Sequence, residues 1–150
     1  MSEFLDLHGK TSKALRALSD RAMRRYGLHL GQNYLLAVLW ERDGSAPGEI
    51  AAALNVTTPT VVKMADRLTT AGLLTRRRDD RDNRLVRLWL TDAGRDLRKP
   101  IEAERRLIEE TVTAGLTGAE REQLLSALAK VHRSALDMLE TNGSTGPAAT

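Results

Sequence analysis

Six arginines stand within twelve positions, from Arg76 to Arg87, and three aspartates are interspersed among them. A guanidinium group has a fixed positive charge and a fork of donors, which suits it to carboxylates and phosphates. The segment from Arg76 to Lys99 holds nine basic and five acidic residues, although the net charge of the whole chain is only +3. Because the basic residues are concentrated in one segment, we expect one surface of the protein to face a polyanion.

Residues with catalytic or metal-binding spacing are not found elsewhere in the sequence. The chain has no cysteine, which excludes disulfides, thiolate metal sites and cysteine nucleophiles. There is no HExxH, GxGxxG or phosphate-loop motif, and no carboxylate pair at catalytic spacing beside a candidate acid or base. His8 and His132 are too isolated to indicate a metal site. We therefore expect a binding protein, not an enzyme, without a metal or cofactor.

The arginine-rich segment is predicted to form a β-hairpin. Leu73 to Arg77 makes one short strand, Asp79 to Asn83 a polar loop, and Arg84 to Leu90 the second strand. Apolar residues alternate along the second strand, so one face of the hairpin can pack on helices while the other stays exposed.

A helix-turn-helix is predicted before the hairpin. Pro47 suits the first turn of a short helix, Asn55 can end that helix in the left-handed conformation, and Thr57 can cap the next one. The second helix has apolar residues at the spacing i, i+3, i+4, i+7, which defines an inner face. The residues of that face are Val61, Met64, Ala65 and Leu68.

The outer face of the second helix could enter a DNA major groove. It is predicted to present Thr58, Pro59, Val62 and Lys63. Threonine can hydrogen-bond a base or touch the thymine methyl, valine can only make apolar contacts, and lysine can reach guanine acceptors or a phosphate. An ordinary solvent-exposed helix is the alternative interpretation.

The hairpin could supply contacts that the helix lacks. An arginine near its tip, Arg81 or Arg84, could enter the narrow minor groove, where the negative potential is strongest. Asp82 is interpreted as the partner that orients or neutralises Arg84. The alternative is a solvated turn whose ion pairs have no function.

Longer amphipathic helices are predicted on both sides of this region. The first runs from about Phe4 to Tyr26, and a shorter one follows from Gln32 to Arg42. On the other side, Thr91 can cap a segment that continues to about Ala114. Pro100 lies inside that segment, so we expect either a kink there or a true helix start nearer Pro100.

The capping-box spacing of Thr117 and Glu120 predicts the start of the last helix. A flexible tail is predicted from Asn142 onward.

The apolar faces of the later helices, Leu97 to Val112 and Leu124 to Leu139, are too long to be covered within a monomer. The residues therefore predict a homodimer.

The segments "LNVTTPTVVKMADRLTTAGLLTRR", "DDRDNR" and "LTDAG" resemble the MarR family of winged helix-turn-helix transcription regulators. The resemblance covers Leu28 to Gly94 closely. It implies a mainly α fold with a small β wing, in one domain of residues 1–141 followed by a tail of 142–150. Within that domain it implies a DNA-binding winged helix of about residues 30–92, and dimerisation helices of about 4–26 and 93–141.

The resemblance also implies a function and a site. A symmetric homodimer would bind a near-palindromic DNA duplex in a sequence-specific way, as a repressor, with Asp82 and Arg84 on the wing. Pro59 departs from the small polar residue usual in the family, which puts one base contact in doubt. The predicted DNA-binding residues are Thr57, Thr58, Pro59, Thr60, Val62, Lys63, Arg67, Arg76, Arg77, Arg81, Asp82 and Arg84. A winged helix that binds an acidic protein is the alternative.

Members of the family typically respond to small anionic or aromatic compounds held between the DNA-binding lobes and the dimer helices. The candidate lining of such an effector site is Met23, Tyr26, His29, Tyr34 and Trp40.

A cytoplasmic location is expected, because the N-terminus does not resemble a signal peptide and the longest apolar run, Tyr34 to Trp40, is too short to span a bilayer.

Overall fold

The computed structural model describes residues 2–29 and 31–143, and over those residues the chain forms seven helices and one two-stranded antiparallel sheet. This agrees with the predicted fold class. The elements in chain order are α1 (Glu3–Arg24), α2 (Gln32–Glu41), α3 (Pro47–Leu54), α4 (Thr58–Thr70), β1 (Leu74–Arg78), β2 (Val86–Leu90), α5 (Asp92–Asp96), α6 (Arg98–Val112) and α7 (Gly118–Gly143).

The chain divides into two compact units, Met1–Ile108 and Glu109–Thr150. The first unit holds a continuous apolar core to which α1 to α4, both strands and α6 contribute. Burial of such side chains is the main favourable contribution to folding. The largest fully buried side chains are Met23, Leu28, Leu35, Leu36, Leu39, Ile50, Val61, Leu68, Leu74, Leu88 and Ile101.

The predicted helix-turn-helix is present, with the predicted residues at its boundaries. Asn55 ends α3 with a φ of 54°, in the left-handed region, which asparagine tolerates better than most residues. Thr57 caps α4 because its Oγ1 accepts from the backbone N–H of Thr60 at 3.4 Å. The inner face of α4 is buried at Val61, Ala65 and Leu68, as its apolar spacing predicts.

The hairpin differs from its prediction in its boundaries. Strand β1 begins at Leu74 and pairs with Leu90 at the end of β2. Arg84 and Leu85, predicted as the start of the second strand, belong to the turn, and that prediction is wrong. The turn closes early because the Leu85 N–H donates to the Asp82 carbonyl at 2.9 Å and the Leu85 carbonyl accepts from Asp79 N–H at 2.8 Å.

The segment after Thr91, for which the sequence predicted either a kink at Pro100 or a helix start nearer Pro100, forms two helices, α5 and α6. Thr91 caps α5 as predicted, with its Oγ1 accepting from Gly94 N–H at 3.1 Å. The helix breaks at Leu97, and α6 begins at Arg98. Pro100 therefore lies in the first turn of α6, where its missing N–H costs no helix hydrogen bond. The second alternative, a new start near Pro100, is confirmed.

The second unit contains α7, which opens with the predicted capping box. Thr117 Oγ1 accepts from Glu120 N–H, and a Glu120 carboxylate oxygen accepts from Thr117 N–H, both at 3.1 Å. These hydrogen bonds favour the ionised carboxylate and lower the pKa of Glu120. The helix continues to Gly143, so Asn142 is helical and does not begin the tail. The rest of the predicted tail, 144–150, lies outside the described residues.

A helix that crosses a membrane must be both long and apolar. Within 2–29 and 31–143, no helix meets that requirement.

Candidate nucleic-acid interface

The outer face of α4 is open to solvent along its length. Thr58, Pro59, Val62 and Lys63 are all exposed, as the apolar spacing predicts. Thr57 and Thr60 stand at the start of the helix, where their hydroxyls are 2.8 Å apart and hydrogen-bonded to each other. The face therefore presents hydroxyls, apolar groups and an amine, which are the groups that contact base edges and phosphates.

Arg67 lies on the flank of α4. Together with Asp20 and Arg24 of α1 and with His29 it lines a cavity of about 240 Å³. Arg67 is exposed and lies one turn after Lys63, so it stands at the edge of the outer face and borders this cavity as well.

The tip of the hairpin is organised by Asp82. Its Oδ1 accepts from the backbone N–H of Arg84 at 3.1 Å and from Arg84 Nε at 3.2 Å. The predicted Asp82–Arg84 pair is thus present. The Arg84 side chain is 93% exposed, so it projects into solvent although Asp82 holds its backbone N–H and Nε. Arg81 also lies in this exposed turn.

A second aspartate, Asp79, closes the base of the turn. Its Oδ1 accepts from Arg81 N–H at 3.0 Å, and its Oδ2 accepts from Arg87 Nε at 3.1 Å. The backbone hydrogen bond from Arg81, followed by the hydrogen bond from Arg87, lowers the pKa of Asp79. Asp79 therefore stays ionised to lower pH than an ordinary aspartate and stabilises the folded turn.

Arg87 connects the wing to the turn between α2 and α3. Besides Asp79, its Nη1 donates to the Gly44 carbonyl at 3.0 Å and lies 3.4 Å from a Glu49 carboxylate oxygen. No organising role was predicted for Arg87 or Asp79 from the sequence. The spacing of Asp79 and Asp82 two residues before Arg81 and Arg84, typical of Asx turns, was the available signal.

Arg76 and Arg77 point to opposite faces of the sheet. The Arg77 guanidinium carbon lies 4.6 Å from the centre of the Trp89 ring, in a cation–π contact. Arg76 forms an ion pair with Asp66 of α4. The two arginines, predicted together as DNA contacts, therefore already have protein partners, whereas Arg84 projects beyond its own.

The structure does not bring the five predicted effector residues into one cavity. Met23 is in the core with 2% of its surface exposed. Trp40 donates its Nε1 proton to the Gly94 carbonyl at 2.9 Å, and the Tyr26 hydroxyl lies 3.5 Å from Glu104. His29 and Tyr34 line different cavities.

The cavity that Tyr34 lines is the larger, at about 540 Å³. Tyr34 also receives a cation–π contact from Arg105 of α6, 5.2 Å from its ring centre. This cavity is lined by Ser12, Leu15, Arg16, Ser19, Asp20, Gly31 and Tyr34. Of the predicted residues it contains only Tyr34, and it adds a cation, Arg16, that the sequence analysis did not select.

Comparisons with known proteins agree with this geometry. Residues 28–86 match the family model described as "MarR family". The HTH-type transcriptional repressor MdtR of Bacillus subtilis (strain 168) is 31% identical over 114 residues, which are 76% of this chain and 74% of that protein. The HTH-type transcriptional regulator TtmR of Methylorubrum extorquens (strain PA1) is 35% identical over 102 residues, 67% of this chain. That match spans only 50% of TtmR.

A solved structure shares the fold over most of the chain. The Staphylococcus aureus MepR–DNA complex superposes with a TM-score of 0.82 and 26% identity, covering 89% of this chain and 99% of that one. The capped α4, the arginine-tipped wing and these matches lead to one conclusion: the chain belongs to the MarR family of transcriptional regulators.

Proposed function

We propose that this chain binds a DNA duplex through α4 and the wing, as a sequence-specific transcription regulator. The observation that carries the proposal is an exposed α4 face beside Arg84, whose backbone N–H and Nε are held by Asp82 while 93% of its side chain is exposed. A fixed helix can read a major groove while a projecting arginine enters the neighbouring minor groove. The proposed contacts are Thr57, Thr58, Pro59, Thr60, Val62, Lys63, Arg81 and Arg84, with Asp82 orienting the last.

A homodimer is part of this proposal. In the first unit, the N-terminal half of α1 exposes Phe4, Leu5 and Leu7 to solvent. In the second unit, α7 has no buried residue among those described. Apolar faces of this extent indicate contact with another surface, and a second copy provides it symmetrically. The α7 side chains concerned are Leu124, Leu125, Leu128, Val131, Leu136, Met138 and Leu139.

The dimer sets the form of the binding site, and a relative suggests the direction of regulation. Two symmetric copies would require a near-palindrome whose half-site centres lie about 10 bp apart. MdtR is described as a repressor, and we extend that role to this chain. Repression requires no surface for contact with the transcription machinery beyond the duplex-binding face itself.

Selection from a randomised duplex library tests the proposal. We expect enrichment of a near-palindrome bound by two chains, with an affinity that falls as salt rises, by a slope of about 0.9 per neutralised phosphate.

Lys63→Ala should weaken binding to the selected duplex by roughly 1–3 kcal/mol, because a base-edge or phosphate contact is lost. Lys99→Ala, which removes an equal charge from α6, is the control.

Two outcomes would contradict this function. If the purified protein enriches no duplex at low salt but binds an acidic polypeptide, the wing serves protein contact instead. If Lys63→Ala leaves both affinity and sequence preference unchanged, α4 does not read the groove as proposed.

We further propose that a small anionic aromatic ligand binds in the cavity lined by Arg16 and Tyr34, and that its binding releases the duplex from the protein. A guanidinium can pair with a carboxylate, and an aromatic ring can pack against the ligand ring. The cavity of about 540 Å³ is within the range of small-molecule sites.

Titration of the protein–duplex complex with benzoate and with phenol tests the effector proposal. We expect benzoate to release the duplex, and Arg16→Ala to require about tenfold more benzoate, the cost of a charged hydrogen bond. Arg21→Ala, also on α1 but outside the cavity lining, should respond as wild type. Equal potency of benzoate on Arg16→Ala and wild type would exclude this cavity as the site.

A further inference from the structure

The ion pair between Asp66 and Arg76 joins α4, the helix proposed to enter the major groove, to strand β1 of the wing. Asp66 lies on α4 one turn after Val62 and Lys63, on the same outer face. Arg76 pairs in register with Leu88, which is fully buried, so Arg76 stands on the sheet face that packs on the helices. The pair therefore spans the junction between α4 and the base of β1.

This ion pair contributes little to folding. The Arg76 and Asp66 side chains are 40% and 55% exposed, and ion pairs open to solvent stabilise a fold only weakly. A lone carboxylate on the outer face of α4 would repel phosphates. Arg76 offsets that charge. Its own side chain is 40% exposed, so it is less available to a phosphate than Arg84, which pairs with Asp82 but is 93% exposed.

The wing is also held on its opposite face. There Arg87 binds the Gly44 carbonyl and Asp79, and Arg77 lies over Trp89. With contacts on both faces, the hairpin has a set direction before any ligand binds. Preorganisation of this kind lowers the conformational entropy lost on association.

We infer that Arg76 is a positioning residue, which holds Asp66 and so fixes the wing relative to α4, and that it is not a phosphate contact. The inference rests on the proposed duplex binding, and it reassigns one residue that the sequence analysis placed among the DNA contacts. Its consequence is that Lys63 on α4 and Arg84 at the wing tip keep a preset separation when they meet the duplex.

Hydrogen exchange of the free protein tests the positioning role without DNA. Asp66→Ala and Arg76→Ala should each speed exchange of the β1 and β2 amides about two- to fivefold, the local opening expected when a solvent-exposed ion pair is lost. The double variant should exchange no faster than either single variant. Arg78→Ala removes the same charge from the same face of β1 and should exchange as wild type. Unchanged exchange in both single variants would overturn the inference.

Duplex binding provides the second readout. Each single substitution, Asp66→Ala or Arg76→Ala, should weaken binding about two- to fivefold, and the double variant should lose no more, because coupled partners are not additive. The salt slope of Arg76→Ala should equal that of wild type. A slope lower by about 0.9, or tighter binding by Asp66→Ala, would show that Arg76 contacts phosphate. If wild type binds no duplex, the proposed function fails, while the exchange experiment still decides the positioning role.

Discussion

Gly94→Ala is expected to destabilise the first unit by about 2–3 kcal/mol, because the added methyl group has no space between α5 and the residues packed against it. Gly94 is buried in α5, and a Cβ at this position would lie 2.3 Å from the Leu73 carbonyl oxygen and 3.2 Å from Leu90 Cδ2. The Leu73 oxygen already accepts from Thr91 N–H at 3.0 Å, so it cannot move away without losing the hydrogen bond that joins the residue before β1 to the N-cap of α5.

The measurement is urea unfolding at a fixed protein concentration. Alanine favours a helix over glycine by about 1 kcal/mol, so the clash must exceed that gain. Gly48→Ala in α3 is the matched control, because a Cβ there meets nothing within 4 Å, and we expect it to be neutral or slightly stabilising. A Gly94→Ala midpoint equal to that of wild type would show that α5 can shift away from β1.

Arg84→Ala is expected to weaken binding of the selected duplex by about 1–3 kcal/mol, roughly five- to 150-fold, while leaving the fold intact. Its side chain is 93% exposed, and within 2–29 and 31–143 its ion pair is with Asp82 two residues away, so the free protein loses little when the side chain is removed. On the duplex, the same group would lie in a narrow minor groove with strong negative potential. The salt slope should fall by about 0.9 as one phosphate neutralisation is lost.

Arg84→Lys separates charge from geometry. Lysine keeps the positive charge but lacks the planar fork and the Nε that pairs with Asp82. We expect it to restore the salt slope and only part of the affinity. Thermal unfolding of both variants should match wild type. The wing assignment is wrong if Arg84→Ala binds as tightly as wild type with the same salt slope.

The candidate site was predictable where its contacts are short in sequence. Thr57 caps α4 through a residue three positions later, and Asp82 holds Arg84 two positions later. Such interactions depend mainly on residue type and local backbone geometry, so a reader of the sequence can anticipate them. The exposed outer face of α4 follows equally from its apolar spacing.

Contacts between distant segments were not predictable. Arg87 reaches Gly44 across 43 positions, and Trp40 reaches Gly94 across 54. Arg76 and Arg77 are adjacent and chemically identical, yet one binds Asp66 and the other Trp89. Their adjacent positions in the strand put them on opposite faces. Which side chain contacts each of them depends on how the hairpin packs against the helices.

Taken alone, the sequence determined the order of helices and strands, the capped starts of α4, α5 and α7, and the concentration of positive charge on the hairpin. These depend on residues a few positions apart, whose distance the backbone restricts. Tertiary structure decided that Arg76 and Arg77 contact Asp66 and Trp89 while Arg84 projects into solvent, and it separated the five predicted effector residues. The reason is that side chains far apart in the chain meet only after the core has packed, and packing fixes their distances more closely than any local pattern.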